Sequence, residues 1–443
     1  MLPSSLTSFL VPLLGLQVPR PSTPAPQPET VPLHFELRQL HALTSDAHVV
    51  FSDVSQSHLA DLALNGDTNS YTISHTVPLT TYKPPSFDAF THARRSSWDS
   101  SVQSAALNWN EDVVVGPDVE SRETLLLLAK MTNNAYLVPG ETGWYELGDE
   151  WPVSYPFGWQ PPYTDGFRGH VFATPDNSTV VVSIKGTSAG VWNAGETAKK
   201  DKLNDNLLFS CCCARVNWSW TTVCGCYRGS YKCDENCVEK ALTDDSLYYP
   251  VATNLYNNLT YMYPDSNIWV IGHSLGGALA SLVGVTFGAP VVTFEAPGDK
   301  MASRRLHLPS PPSLHHVAHV FHTADPIAMG TCNGILSYCS LGGYAMESRC
   351  HLGKTIVYDT VSNLSWSVNI RTHGIVTVIE KVLGVPWRPS VVMGREVPEP
   401  VPQDDCVVRQ WSTKGMVSSI ADITGPQDCY SWDFGTYTTK GKR

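Results

Sequence analysis

Charged residues are scarce in this chain: Asp, Glu, Lys and Arg make up only 16% of its 443 residues, and Lys and Arg form no run anywhere. A nucleic-acid partner calls for a basic patch, and a net charge of −11 with no such run excludes that class. No internal repeat is present, which removes solenoid and propeller architectures. Only one stretch is long and apolar enough to approach a membrane span. What the chain does have is 42% hydrophobic residues, which suits a globular protein and excludes a mainly disordered one. Its length allows one large core with appendages, or two modest domains. Thirteen Trp and 18 Tyr read as packing, or as contact with lipid or sugar.

Cysteine usage indicates the compartment. There are 12, an even number, and Cys211, Cys212, Cys213, Cys224, Cys226, Cys233 and Cys237 fall in one cluster. Cys224-Gly-Cys226 with Cys233-x-x-x-Cys237 offers four thiolates to zinc. The sequons at Asn177, Asn217, Asn258 and Asn363 point instead to an oxidising lumen, and favour disulfides over metal. The N-terminus agrees. Leu2 to Val18 has no charged side chain, and sits at the lower edge of the roughly 17–25 residues that span a bilayer. It reads as a signal anchor or as a cleaved signal peptide, with no basic region ahead of it.

A Pro-rich stalk follows over 19–32, then a region over 33–118 rich in Ser and Thr with no readable motif. A catalytic domain is expected over 119–385, and a Pro-rich linker and tail over 386–443, where Cys406 and Cys429 can tether the chain back. Within the central part, Glu120–Tyr136 reads as a buried helix with a capped start. Gly169–Lys185 reads as a hairpin. Leu247–Met262 is amphipathic at helical spacing and leads to the short strand Asn267–Gly272. A small-residue helix (Leu275–Val285) and strands Val291–Glu295 and Val317–His322 come next. Alternating strands and helices indicate an α/β fold with a mostly parallel sheet.

The strongest chemical signal is Gly272-His273-Ser274-Leu275-Gly276, set between a predicted strand and a predicted helix. So tight a turn excludes side chains two residues before and after the serine, and it lifts the Ser274 hydroxyl above the sheet. A serine hydroxyl needs a base, itself oriented by a carboxylate, and the chain order expected here is Ser, acid, His. Asp325 follows the strand Val317–His322 directly, with Pro326 stiffening its loop. Asp299 reads as a loop residue and Asp359 as a surface charge. Of the two histidines after Asp325, His351 stands beside Cys350, whereas His373 precedes an apolar helix and is the better base. His273 reads as packing under the turn. The oxyanion needs two donors: the Leu275 N–H is one, and Thr187, in Lys185-Gly186-Thr187 after a strand, can offer its N–H and its hydroxyl. The segment Val191–Phe209, with Trp192, Leu203, Leu207, Leu208 and Phe209, reads either as a movable cover or as an ordinary packed helix.

At these residues the chain resembles the class 3 lipases of the α/β-hydrolase fold, and specifically the fungal autophagy-related vacuolar lipases. The matching pieces occur in order over about 120–383: Ala129–Tyr136, Val182–Thr187, the cysteine cluster, Ile271–Leu282, Thr293–Gly298, His322–Ile327 and Thr372–Gly374. The cysteine-rich insert at 211–237 and Cys429-Tyr-Ser-Trp-Asp-Phe434 narrow it to that family. The resemblance implies Ser274, Asp325 and His373 as the triad and Thr187 at the oxyanion position, with no cofactor and no metal. It implies a glycoprotein acting on membrane phospholipid, including phosphoinositide-bearing membranes, and on neutral lipid. It further implies a type II single-pass topology with a luminal catalytic domain, reaching the vacuole through multivesicular-body and prevacuolar membranes. An esterase for soluble esters, and an inactive lipid-binding glycoprotein, are the alternatives.

Overall fold

The computed structural model describes residues 76–437 except 99–106, 148–156, 160–165, 175, 189–196, 216–221, 244–246, 335 and 409–426, together with the strands within 33–73. The N-terminal apolar run, the stalk, Asn217 and Trp192 lie outside the described residues. Among those described, no helix is long and apolar enough to cross a membrane.

The strands, in chain order, are β1 (Leu33–Leu43), β2 (Val49–Asp53), β3 (Tyr71–Ile73), β4 (Thr76–Lys83), β5 (Asn110–Pro117), β6 (Gly169–Ala173), β7 (Thr179–Ile184), β8 (Lys232–Asp234), β9 (Asn267–His273), β10 (Val291–Phe294), β11 (Val317–His322), β12 (Lys354–Tyr358) and β13 (Val401–Pro402). The main sheet runs β13-β12-β11-β10-β9-β7-β6-β1-β2, with β3 beside β1. Five neighbours, β7, β9, β10, β11 and β12, are parallel, and antiparallel strands close both ends. This is the α/β architecture expected, with the region over 33–73 adding strands to the same sheet rather than standing apart.

The parallel strands are buried on both faces, so their alternate residues feed two cores. From β7 and β9, Val180, Val182, Ile268 and Val270 enter one core, packed with the helices Tyr248–Met262 and Leu275–Phe287. Val181, Trp269 and Ile271 enter the other, with the helix Arg122–Asn134 and the turn of Val378–Leu383. Ser121 caps Arg122–Asn134, accepting from Thr124 N at 3.4 Å. β4 and β5 form a separate hairpin, against which Trp269 Nε1 donates to the Val115 carbonyl at 2.9 Å.

All twelve cysteines are paired. Within the insert the bonds are Cys212–Cys233, Cys213–Cys224 and Cys226–Cys237. Cys211–Cys429 and Cys350–Cys406 bring the tail back to the body, as expected, and Cys332–Cys339 closes a short loop. The cysteines weighed as a zinc site are thus spent as disulfides. The tail strand Asp433–Gly435 also pairs with β8. The Pro-rich stretch before it docks: Trp387 and Val397 are buried, and β13 lines the sheet edge, where a proline costs no ladder bond.

The segment weighed as a cover forms the helix Ala198–Phe209, and residues 191–196 are not described. Leu207, Leu208 and Phe209 lie in the core, and the polar Asp201, Asn204, Asp205 and Asn206 are buried and hydrogen-bonded. Such a helix cannot swing aside without exposing four satisfied polar groups' partners. Over this span the packed-helix reading holds.

Candidate active site

β9 ends in the tight turn that the glycine spacing anticipates. Ser274 sits at φ 55°, ψ −128°, a conformation costly for any residue with a Cβ. A Cβ on Gly272 would strike the Gly276 backbone, and one on Gly276 would strike the Ile184 carbonyl. Both glycines are therefore required by close approach. The Ser274 amide still joins the ladder, donating to the Phe294 carbonyl at 3.0 Å. The helix Leu275–Phe287 then starts at once, buried along nearly its whole length.

Three expected residues meet here. His373 Nε2 is 2.9 Å from Ser274 Oγ, and His373 Nδ1 is 2.7 Å from Asp325 Oδ2. The Asp325 carboxylate is fully buried, whereas the His373 side chain is 14% exposed, so the ring forms the wall between solvent and acid. Asp325 Oδ1 accepts from Ile327 N at 2.9 Å, a local turn that Pro326 favours. Burial opposes its charge, but the His373 charge and the hydrogen bonds to His373 and Glu295 outweigh burial and hold the carboxyl below the usual range. The His373 segment is a 3₁₀ turn, Ile370–His373, capped by Asn369. It is stitched to the acid loop: Asn369 N and Thr372 Oγ1 both donate to the Ala324 carbonyl, and His322 Nε2 donates to the Thr372 carbonyl at 3.0 Å.

The rejected candidates lie elsewhere. His351 Nε2 bonds the Ala296 carbonyl at 3.0 Å, and Asp299 accepts from Leu352 N. Asp299 is in a loop but fully buried. Asp359 caps the helix Thr360–Leu364. On the oxyanion side, Thr187 differs from expectation in one respect. Its hydroxyl is committed to Asp205 Oδ2 at 2.5 Å, which leaves the backbone N–H as the group to face an oxygen. Leu275 N–H belongs to the first helical turn, where amides lack intrahelical partners.

A family model described as a Tle-like phospholipase domain matches residues 219–306. A relative from Cryptococcus neoformans var. neoformans serotype D, named "Putative lipase ATG15", is 50% identical over 370 residues, which cover 74% of this chain and 70% of that one. This chain belongs to the ATG15 lipase family. An ATG15 relative from Mycosarcoma maydis is 53% identical over 298 residues, 65% of this chain and 57% of its own. One from Yarrowia lipolytica is 44% identical over 336 residues, 74% and 55%. The chain thus spans little more than half the length of these two ATG15 proteins. Among solved structures, the Lip2 lipase of Yarrowia lipolytica is 16% identical, with a TM-score of 0.31, over 55% of this chain and 81% of that one.

Beyond the expected set, this ATG15 member places four further residues at the site: Tyr136, His273, Asp205 and Glu295. Tyr136 Oη accepts from Gly186 N at 3.0 Å and lies 2.6 Å from His273 Nδ1, and His273 Nε2 is 2.8 Å from the His373 carbonyl. His273 is therefore a bridge from the Lys185–Thr187 loop to the His373 segment, more than packing. Asp205 stands under Thr187, with its pKa pushed up to about 7 by burial despite the Thr187 hydrogen bond. Glu295 lies beside Asp325. Tyr136 ends the A-K-M-T-N-N-A-Y match and Glu295 sits in T-F-E-A-P-G, so both lay within the resemblance. Asp205 had no sequence signal.

Proposed function

We propose that this ATG15 member is a serine lipase that cleaves the ester bonds of triacylglycerol and phospholipid, and that Ser274, His373 and Asp325 carry the reaction. The observation behind it is the unbroken bonding from buried Asp325 through His373 to a strained, turn-mounted Ser274. His373 Nε2 takes the Ser274 proton as Oγ attacks the ester carbonyl carbon. The oxygen that gains charge is met by the N–H groups of Leu275 and Thr187 and by the positive end of the helix Leu275–Phe287. Collapse of the intermediate expels the alcohol, which takes its proton from His373. Water, deprotonated by the same imidazole, then frees the fatty acid and restores Ser274. Asp325 stabilises the imidazolium at each stage and keeps Nε2 facing the serine.

A lipid surface fits the rim better than a soluble ester does. Leu336 and Tyr338, in the loop closed by Cys332–Cys339, and Leu341 just after it are 86%, 69% and 71% exposed. The residues after that loop are tied to the helix bearing Asp205 through Lys202 Nζ and Asn206 Nδ2, which donate to the carbonyls of Gly342 and Gly343. Val368 and Val376, also exposed, lie before and after His373 in the chain. The ATG15 kinship, the disulfides and the sequons support action in an acidic, oxidising lumen, the vacuole, on autophagic and multivesicular-body membranes. A single-pass type II anchor over 1–18 and a hydrolase domain over 119–385 belong to the same proposal.

The test is hydrolysis by purified protein of phospholipid and triacylglycerol, below and above their aggregation thresholds, beside Ser274→Ala. Activity should rise steeply once vesicles or droplets form, and the variant should lose on the order of 10⁴–10⁶ of it while staying folded. Saturation on monomeric ester with indifference to vesicles would move the protein to the soluble-esterase reading. Vesicle binding without Ser274-dependent hydrolysis would make it an inactive lipid binder.

A further inference from the structure

Strands β9, β10 and β11 lie side by side, and just beyond their carboxyl ends stand Ser274, Glu295 and Asp325 respectively. Glu295 takes no part in the chemistry above, yet it is 1% exposed and its backbone sits at φ 47°. A positive φ is uncommon for a residue with a side chain. The strain is held by the sheet, because the Glu295 amide continues the ladder to the Val320 carbonyl at 2.9 Å. The result is a second buried carboxyl beside that of Asp325.

Donor supply decides which of the two carries the proton. Asp325 receives His373 Nδ1 at 2.7 Å and Ile327 N at 2.9 Å. Glu295 receives only a long approach from His322 N at 3.5 Å. His322 Nε2 is 3.6 Å from Glu295 Oε1, but its hydrogen goes to the Thr372 carbonyl at 3.0 Å. Two carboxyls in contact inside a protein cannot both ionise, and the charge settles on the better-served one. Burial first, and the Asp325 charge second, push the Glu295 carboxyl well above its ordinary range. The titratable groups around it are His322 closing β11, Asp325 in the loop beyond, and His373 reached through Asp325. His273, at the end of β9, bonds the same His373 segment and stays neutral because burial lowers its pKa to about 3.

We propose that Glu295 is a neutral carboxylic acid that donates an O–H···O hydrogen bond to Asp325, making it a positioning residue for the triad. The inference rests on the triad reading given above. Its donated bond fixes the Asp325 carboxylate in one orientation, and it draws charge away from the oxygen that faces His373. The base is then less firmly held in its protonated form, and it remains available at lower pH.

Two variants of the full chain test this, Glu295→Gln and Glu295→Leu. Glutamine still donates a hydrogen bond; leucine cannot. The first readout needs no catalysis: the infrared difference between the unaltered chain and Glu295→Gln near neutral pH should contain the carbonyl stretch of a protonated carboxylic acid. The second is the pH profile of kcat/KM on a short soluble ester. Glu295→Gln should keep its acid limb in place, with kcat within about threefold. Glu295→Leu should move that limb up by about half to one pH unit and lower kcat about tenfold, with KM little changed. A Gln variant whose acid limb moves down would show that a negative charge had been removed, and overturns the proposal. So does a Leu variant that melts earlier with an unchanged profile. If the unaltered chain shows no Ser274-dependent hydrolysis, the triad reading fails, and the infrared band alone then decides whether Glu295 holds the proton.

Discussion

The imidazole of His273 receives the Tyr136 hydroxyl proton at Nδ1 and gives its own Nε2 proton to the His373 carbonyl, while Tyr136 accepts from Gly186 N. This chain of three bonds joins the Lys185–Thr187 loop, the turn before Ser274 and the His373 segment, so the loop cannot drift without disturbing His373. Tyr136→Phe strips the hydroxyl and leaves two buried groups unpaired, at about 1–3 kcal/mol each. We expect kcat to fall about tenfold or more with KM for a short ester nearly constant, measured by steady-state kinetics; an unchanged kcat would mean the link carries no catalytic strain. Asp205 offers a pH test. Its folded pKa, about 7, lies above the ordinary 3.8, so its contribution to stability is full below about pH 4 and is lost as pH rises through 7. Asp205→Asn should therefore gain on the unaltered chain by a few kcal/mol between pH 4 and 8 in chemical denaturation. A constant difference across that window would show that Asp205 titrates normally. The elbow and its partners were legible in the sequence because each is announced by its neighbours: glycines two residues away, or a strand just before. Asp205 was not, since its meaning comes from a hydroxyl 18 residues earlier and from burial that no local pattern reports.

At the scale of elements, the Cys332–Cys339 loop and the short helix that follows make a knuckle, with Leu336, Tyr338 and Leu341 exposed to solvent and its far end bonded to the helix Ala198–Phe209. Exposed apolar residues gathered in one place mark a contact surface. Replacing Leu336 and Leu341 together by Ser should cut turnover on phospholipid vesicles about tenfold or more, since each buried leucine contributes roughly 1.5–3 kcal/mol. Turnover of a monomeric short-chain ester should hardly change, and an equal loss on both substrates would assign the knuckle to folding instead. The helices and central strands were readable from periodicity, because burial on one face or two leaves a pattern. β12 and the β4–β5 hairpin were not. Lys-Thr-Ile-Val-Tyr is too short to show a period, and the hairpin's two arms lie far apart in sequence within a region rich in Ser and Thr. The stretch after 386 reads by composition as a Pro-rich linker and tail; that Trp387 and Val397 are buried is a long-range choice that composition does not carry.

For the whole molecule, the sequons make separate forecasts. Asn177 and Asn363 are exposed, whereas Asn258 lies within the helix Tyr248–Met262 with its side-chain amide on the Asn254 carbonyl at 3.0 Å. Glycopeptide mass spectrometry of secreted protein should find Asn177 and Asn363 occupied and Asn258 largely bare; full occupancy of Asn258 would mean that the helix is modified before it forms. The Cys211–Cys429 bond has a further consequence, one of timing. Cys211, Cys212 and Cys213 are consecutive, yet their partners stand 218, 21 and 11 residues away. During synthesis, at about 5–20 residues per second, Cys213 meets its partner within seconds, while Cys211 waits roughly 10–40 s for Cys429 to be made. Throughout that wait a free thiol sits beside two newly formed bonds and can attack either. A ribosome-bound chain is therefore born with a shuffling hazard at its centre, and only the arrival of Cys429 removes it.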